Sequence, residues 1–74
     1  MLEKLKALIN ENLGIDEAEI KEESNFIEDF GVDSLDLFEF VMTVEEEFDI
    51  KVASEDVAGL KTVADVMKYI EAHQ

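Results

Sequence analysis

One short run carries the chemistry this chain can offer: Gly31-Val32-Asp33-Ser34-Leu35-Asp36. The glycine ends a loop. Asp33 is placed as the N-cap of a helix, its carboxylate accepting free N–H groups of the first turn. Asp36 falls at N3, from which a capping-box side chain reaches back to the N-cap N–H, a place usually held by Glu or Gln. Ser34 takes the first helical position with its hydroxyl outward, beside backbone donors that favour a phosphate. Such a serine is a point for attaching a group.

Nothing else in the sequence equips it for catalysis. The only histidine, His73, lies next to the C-terminus, where a frayed tail is expected, so Ser34 has no base to activate it. There is no cysteine, which removes disulfides and thiolate metal sites and leaves any thiol chemistry to an imported thiol. Carboxylate pairs abound, but in so acidic a chain most are solvated. The calcium-loop pattern fails too: with Gly31 at loop position six, Phe26 falls at position one and Leu37 at position twelve. The other two glycines put Ile9 and Ser54 at position one. No catalytic residue and no metal ligand is assigned, and the domain is expected not to be an enzyme by itself.

The elements that must hold Ser34 in place belong to one small domain, residues 1–74. A chain this short buries about 60% of its unfolded surface and draws only some 3–5 kcal/mol from its core. Twenty acids against six bases give a net charge of −14. That charge argues against nucleic acid or an anionic membrane and points to basic protein surfaces as partners. No apolar run reaches the length of a signal segment or a membrane span, so a cytoplasmic location is expected.

Leu2, Leu5, Leu8, Ile9 and Leu13 recur at helical spacing, and Gly14 follows as a natural helix stop. Lys4 and Lys6 in this first helix are a third of all the bases, leaving the middle of the chain nearly pure acid. Residues 15–32 read as a long loop, with a capped turn at Asp16–Glu19 and with Ile15, Ile20, Phe26, Ile27 and Phe30 as anchors to the core. A loop of that length in a small domain is functional or misassigned; because it delivers the chain to Ser34, the functional reading is preferred. Later, Ile50-Lys51-Val52 is a short extended link. Ser54 is expected to cap a brief helix through Ala58, closed by Gly59. Thr62 and Asp65 form a capping box for a last helix with Val63, Val66, Met67 and Ile70 on its apolar face. Tyr69 is expected at the edge of that face with its hydroxyl in water.

The second helix, 34–48, says most. At 100° per residue Leu37, Phe40, Val41, Val44 and Phe48 form one core stripe. Leu35, Phe38 and Met42 fall on another side, surrounded by Glu39, Glu45, Glu46 and Asp49. An apolar centre with an acidic rim reads as an interface; the alternative is that Phe38 and Met42 pack beneath the long loop. Glu45, Glu46, Glu47 and Asp49 crowd the end of the helix, where the dipole disfavours negative charge by about 0.3–1 kcal/mol per exposed residue. Local stability does not favour that arrangement. Recognition by a basic partner does.

Asp33-Ser34-Leu35-Asp36, preceded by Phe26-Ile27-Glu28-Asp29-Phe30-Gly31 and followed by Val41-Met42-Thr43-Val44-Glu45-Glu46-Glu47-Phe48, resembles the bacterial acyl carrier proteins. The likeness extends through essentially the whole chain, including Thr62-Val63 and Tyr69-Ile70. It implies an all-α fold: a small four-helix bundle with a long first loop and a short third helix. It further implies that Ser34 receives phosphopantetheine from coenzyme A through a separate, magnesium-dependent holo-carrier synthase. The arm's thiol would hold growing acyl chains as thioesters and present them to fatty-acid biosynthesis enzymes. Asp33, Leu35, Asp36, Phe38, Glu39, Met42, Glu45 and Glu46 would meet basic docking patches on those partners, the carrier itself being a monomer. The chain departs from the family pattern where Ala53 follows Val52 in place of proline, and where Phe30, Phe38 and Phe40 replace smaller aliphatics. Since Phe40 is on the core stripe, a differently shaped cavity for acyl chains is expected. Two rival readings are a carrier of aminoacyl, peptidyl or polyketide groups, and an acidic metal-binding interaction module.

Overall fold

The computed structural model describes residues 1–73, which form four helices: α1 (Leu2–Leu13), α2 (Ser34–Phe48), α3 (Ser54–Val57) and α4 (Val63–His73). The architecture is all-α, with a long connection after α1 and a short third helix, as the sequence implies. Each helix places one apolar side in a shared core. Leu5, Leu8 and Ile9 enter it from α1, Leu37, Phe40, Val41 and Val44 from α2, Val57 from α3, and Val63, Val66 and Ile70 from α4. Phe48, the last member of the expected α2 stripe, is only half-buried, with the Lys4 ammonium 4.9 Å from its ring centre.

The helix ends follow local chemistry in most cases. Gly14 closes α1 in a left-handed conformation. Asp49 does the same for α2 at φ 53°, a conformation that Asp tolerates better than most residues. At α4 the capping box closes in both directions: Thr62 Oγ1 accepts from the Asp65 N–H, and Asp65 Oδ2 accepts from the N–H groups of Lys61 and Thr62. Partial burial pushes the Asp65 carboxyl up. The two backbone donors of Thr62 and Lys61, the Thr62 hydroxyl contact and Lys68 outweigh it, and the net direction is down.

The expected start of α3 is corrected. Ala53, with no side chain able to cap, occupies the N-cap, and Ser54 is the first residue of the helix. Gly59 does not close it in a left-handed turn either; Ala58 is the C-cap, and the Gly59 and Leu60 N–H groups bond to Asp56 and Val57 carbonyls in a tightened last turn. Tyr69 lies half-buried at the edge of the α4 apolar face, as expected, and its exposed hydroxyl also donates to Asp56 Oδ2 at 2.7 Å, tying α4 to α3. His73 is not frayed: it is the last residue of α4, stacked on Tyr69 at 4.0 Å, with Nδ1 donating to the Tyr69 carbonyl.

The long connection is the most ordered surprise. Asp16 caps a three-residue 3₁₀ turn, Glu17–Glu19, as the sequence suggests. Beyond it the chain knots around Asn25, whose Oδ1 accepts from the Ile27 and Glu28 N–H groups while its own N–H donates to Asp29 Oδ2. The same stretch is pinned to the start of α4. Phe26 N–H donates to Lys61, Val63 N–H to Ser24, and Ala64 N–H to Glu22, making an isolated antiparallel bridge between Asn25 and Thr62. Of the five proposed anchors, Ile20 and Phe26 are fully buried and Ile15 and Phe30 pack against the core. Ile27 is the exception, 52% exposed, because the Asn25 turn rotates it outward beside the inward Phe26.

Candidate functional site

Residues 25–36 form the candidate site, and the Asn25 knot orients it. The Gly31 N–H closes a turn on the Ile27 carbonyl and the Val32 N–H returns to the Phe26 carbonyl. Gly31 sits at φ 67°, a conformation that a Cβ would strain. Val32 is buried, so the next residue must emerge at the surface. There Asp33 adopts an extended conformation and Oδ1 accepts from the Asp36 N–H at 2.8 Å. The box is closed in this direction alone; the Asp36 side chain stays exposed and makes no return bond.

Ser34 is the first residue of α2 and its side chain is exposed. Helix geometry leaves the earliest N–H groups of such a turn without helical partners. Asp33 takes one, and the hydroxyl stands free beside the rest. No imidazole approaches it, the chain's one histidine being engaged with Tyr69. Among the described residues, no three potential metal ligands converge anywhere.

Ser34 also stands at the rim of a cleft of about 490 Å³. Its apolar walls come from Leu37 and Phe38 of α2, Ile27 of the preceding loop, and Val57, Ala58 and Leu60 in and after α3; Asn25, Glu28, Ser54 and Lys61 add polar edges. Here the aromatic departures separate. Phe40 was expected to shape the cavity, yet it lies in the core, 5.7 Å from the Phe26 ring, and is not among the residues lining this cleft. Phe30 meets the other side of Phe26, edge-on at 5.9 Å. The aromatic that does line the cleft is Phe38.

The face around the site has the expected apolar centre. Leu35, Phe38 and Met42 are 69%, 43% and 52% exposed, so Phe38 and Met42 are not packed away beneath the loop. Glu39 and Glu46 are exposed, as are Asp33 and Asp36. Glu45 differs. It is half-buried and its carboxylate accepts from the Val52 N–H at 2.9 Å, anchoring the link to α3. Ile27 and the Tyr69–Asp56 tie lie outside what sequence periodicity reveals. Both come from contacts made across the fold.

A hydroxyl free at a helix start, opening on an apolar cleft, fits a covalently attached arm with an apolar load. Comparison with known proteins agrees. The family model described as "Phosphopantetheine attachment site" matches residues 3–70. The acyl carrier protein of Clostridium acetobutylicum is 51% identical over 73 residues, covering 99% of this chain and 95% of that protein. The acyl carrier protein of Clostridium perfringens is 48% identical over 73 residues, 99% of this chain and 96% of that protein. The chain belongs to the phosphopantetheine-attachment family and, within it, to the acyl carrier proteins, which hold their acyl groups on that arm.

Proposed function

We propose that Ser34 carries the phosphopantetheine arm, and that residues 1–74 act as one carrier unit for fatty-acid biosynthesis. The observation that carries the assignment is the placement of one exposed hydroxyl at the first helical position, on the rim of the apolar cleft. Ser24 is buried and its hydroxyl accepts from the Lys21 N–H. Ser54 also begins a helix and borders the cleft, but no acidic cap precedes it.

Attachment forms one oxygen–phosphorus bond between the Ser34 hydroxyl and coenzyme A and releases the nucleotide half. The hydroxyl proton must leave to a base. With His73 occupied on Tyr69, that base belongs to a separate, magnesium-dependent holo-carrier synthase, and the carrier is its substrate without being an enzyme. When bound, the arm supplies the thiol that this cysteine-free chain lacks. The cleft then shelters the acyl chain.

Partner enzymes dock on α2 through Leu35, Phe38 and Met42, with Asp33, Asp36, Glu39 and Glu46 as the acidic rim. Glu45 contributes charge but is held to Val52. A net charge of −14 keeps copies apart, consistent with a monomer in the cytoplasm. No helix among the described residues is long and apolar enough to cross a membrane. The test is transfer from coenzyme A, with magnesium and a holo-carrier synthase, followed by intact mass. Wild type gains one phosphopantetheine and Ser34→Ala gains none. A Ser34→Ala variant that still gains the mass refutes the assignment.

A further inference from the structure

Two exposed large apolar side chains take part in the cleft: Phe38, on α2, and Ile27, on the loop that leads to it. Leu35 and Met42, the other members of the α2 apolar stripe, are more open to solvent and do not line the cleft. Phe38 is therefore the one side chain shared by the outward stripe and the cleft wall. It stands four residues after Ser34, one helical turn on and on the same side. Ser34 and Phe38 line the same cleft.

We propose that Phe38, with Ile27 as the second lip, is the cover of the cleft and decides how well acyl chains of different length are sheltered. This rests on the reading that the cleft holds the acyl chain. Leu37, Val57 and Leu60, all buried, form the inner wall of the cleft, and its adjustable part is the exposed mouth.

The test loads wild type, Phe38→Ala, Leu35→Ala and Met42→Ala with octanoyl- or acetyl-phosphopantetheine and measures thioester cleavage by hydroxylamine. In wild type the octanoyl thioester reacts more slowly than the acetyl one. In Phe38→Ala the octanoyl thioester is cleaved faster by about tenfold, the shift expected when roughly two methylenes lose their cover. The acetyl thioester is unchanged, and so are both thioesters in Leu35→Ala and Met42→Ala. If Phe38→Ala behaves like Leu35→Ala, or speeds acetyl and octanoyl cleavage alike, Phe38 is not the cover. Equal acetyl and octanoyl rates in wild type would show that the cleft shelters nothing, overturning the underlying reading and the proposal together. A circular dichroism melt of each variant confirms that the fold is intact; a change confined to unfolded Phe38→Ala protein is resolved by Phe38→Leu, for which a smaller acceleration on octanoyl alone is expected and its absence counts against the proposal.

Discussion

Asp33 and Ser34 divide the task at the site between them. Asp33 fixes where α2 begins by bonding the Asp36 N–H at 2.8 Å, and this leaves Ser34 at the first helical position with nothing asked of its hydroxyl. Had the helix begun one residue later, Ser34 would be the cap and its oxygen would be occupied by a backbone N–H. The pair therefore predicts a separable effect. Asp33→Ala should cost about 1 kcal/mol of stability through the lost cap, read as a lower denaturant midpoint with an unchanged slope. It should also slow modification of Ser34 because the first turn loosens, whereas Ser34→Ala leaves stability nearly untouched and abolishes modification. Equal stability of wild type and Asp33→Ala would mean that water caps the helix as well as the carboxylate does.

At the scale of elements, α2 was legible almost residue by residue, since both its cap and its stripes are local patterns. So was the Thr62–Asp65 box. What escaped the sequence depends on the partner a residue finds across the fold. Ile27 looks like an anchor until the Asn25 turn points it outward. Ser54 looks like a cap, but the chain tied at Val52 by Glu45 begins α3 one residue early. The Tyr69 hydroxyl is at the surface as expected, but nothing local announces that α3 brings Asp56 within 2.7 Å of it, and that carboxylate, by holding the phenolic proton, pushes the Tyr69 pKa up. Spacing cannot encode such meetings. The acidic rim of α2, in contrast, is local and gives a direct prediction. Glu39→Lys or Glu46→Lys should slow modification of Ser34 and acyl transfer while leaving helical content unchanged. The effect belongs to association rate and should fade as salt shortens the screening length to about 8 Å at 0.15 M. Unaltered rates at low salt in both variants would remove the rim from the docking surface.

For the whole molecule, charge sets the conditions under which the fold persists. A net −14 on 74 residues repels itself more in the compact state than in the expanded one. Added sodium chloride or millimolar magnesium should therefore raise the melting temperature, by screening and loose association. Saturable, stoichiometric binding at sub-micromolar concentration, with unfolding on chelation, would instead favour a metal module. Acid acts oppositely at one place. The Asp65 carboxyl lies below its ordinary value, so its contribution is present above the unfolded value of about 3.9 and lost as pH falls through the folded one. Asp65→Asn should be less stable than wild type at pH 7, and the difference should shrink below about pH 4; a constant difference would place the effect in packing. The central claim, however, is chemical, and one measurement addresses it most directly: the intact mass, followed by peptide mapping, of the protein purified from cells that make it. The expected mass exceeds that of the sequence by one phosphopantetheine, part of the population bearing acyl groups that hydroxylamine removes, all of it on the peptide containing Ser34. Protein carrying the arm on any other residue, or fully active in acyl transfer with Ser34 bare, would contradict the claim.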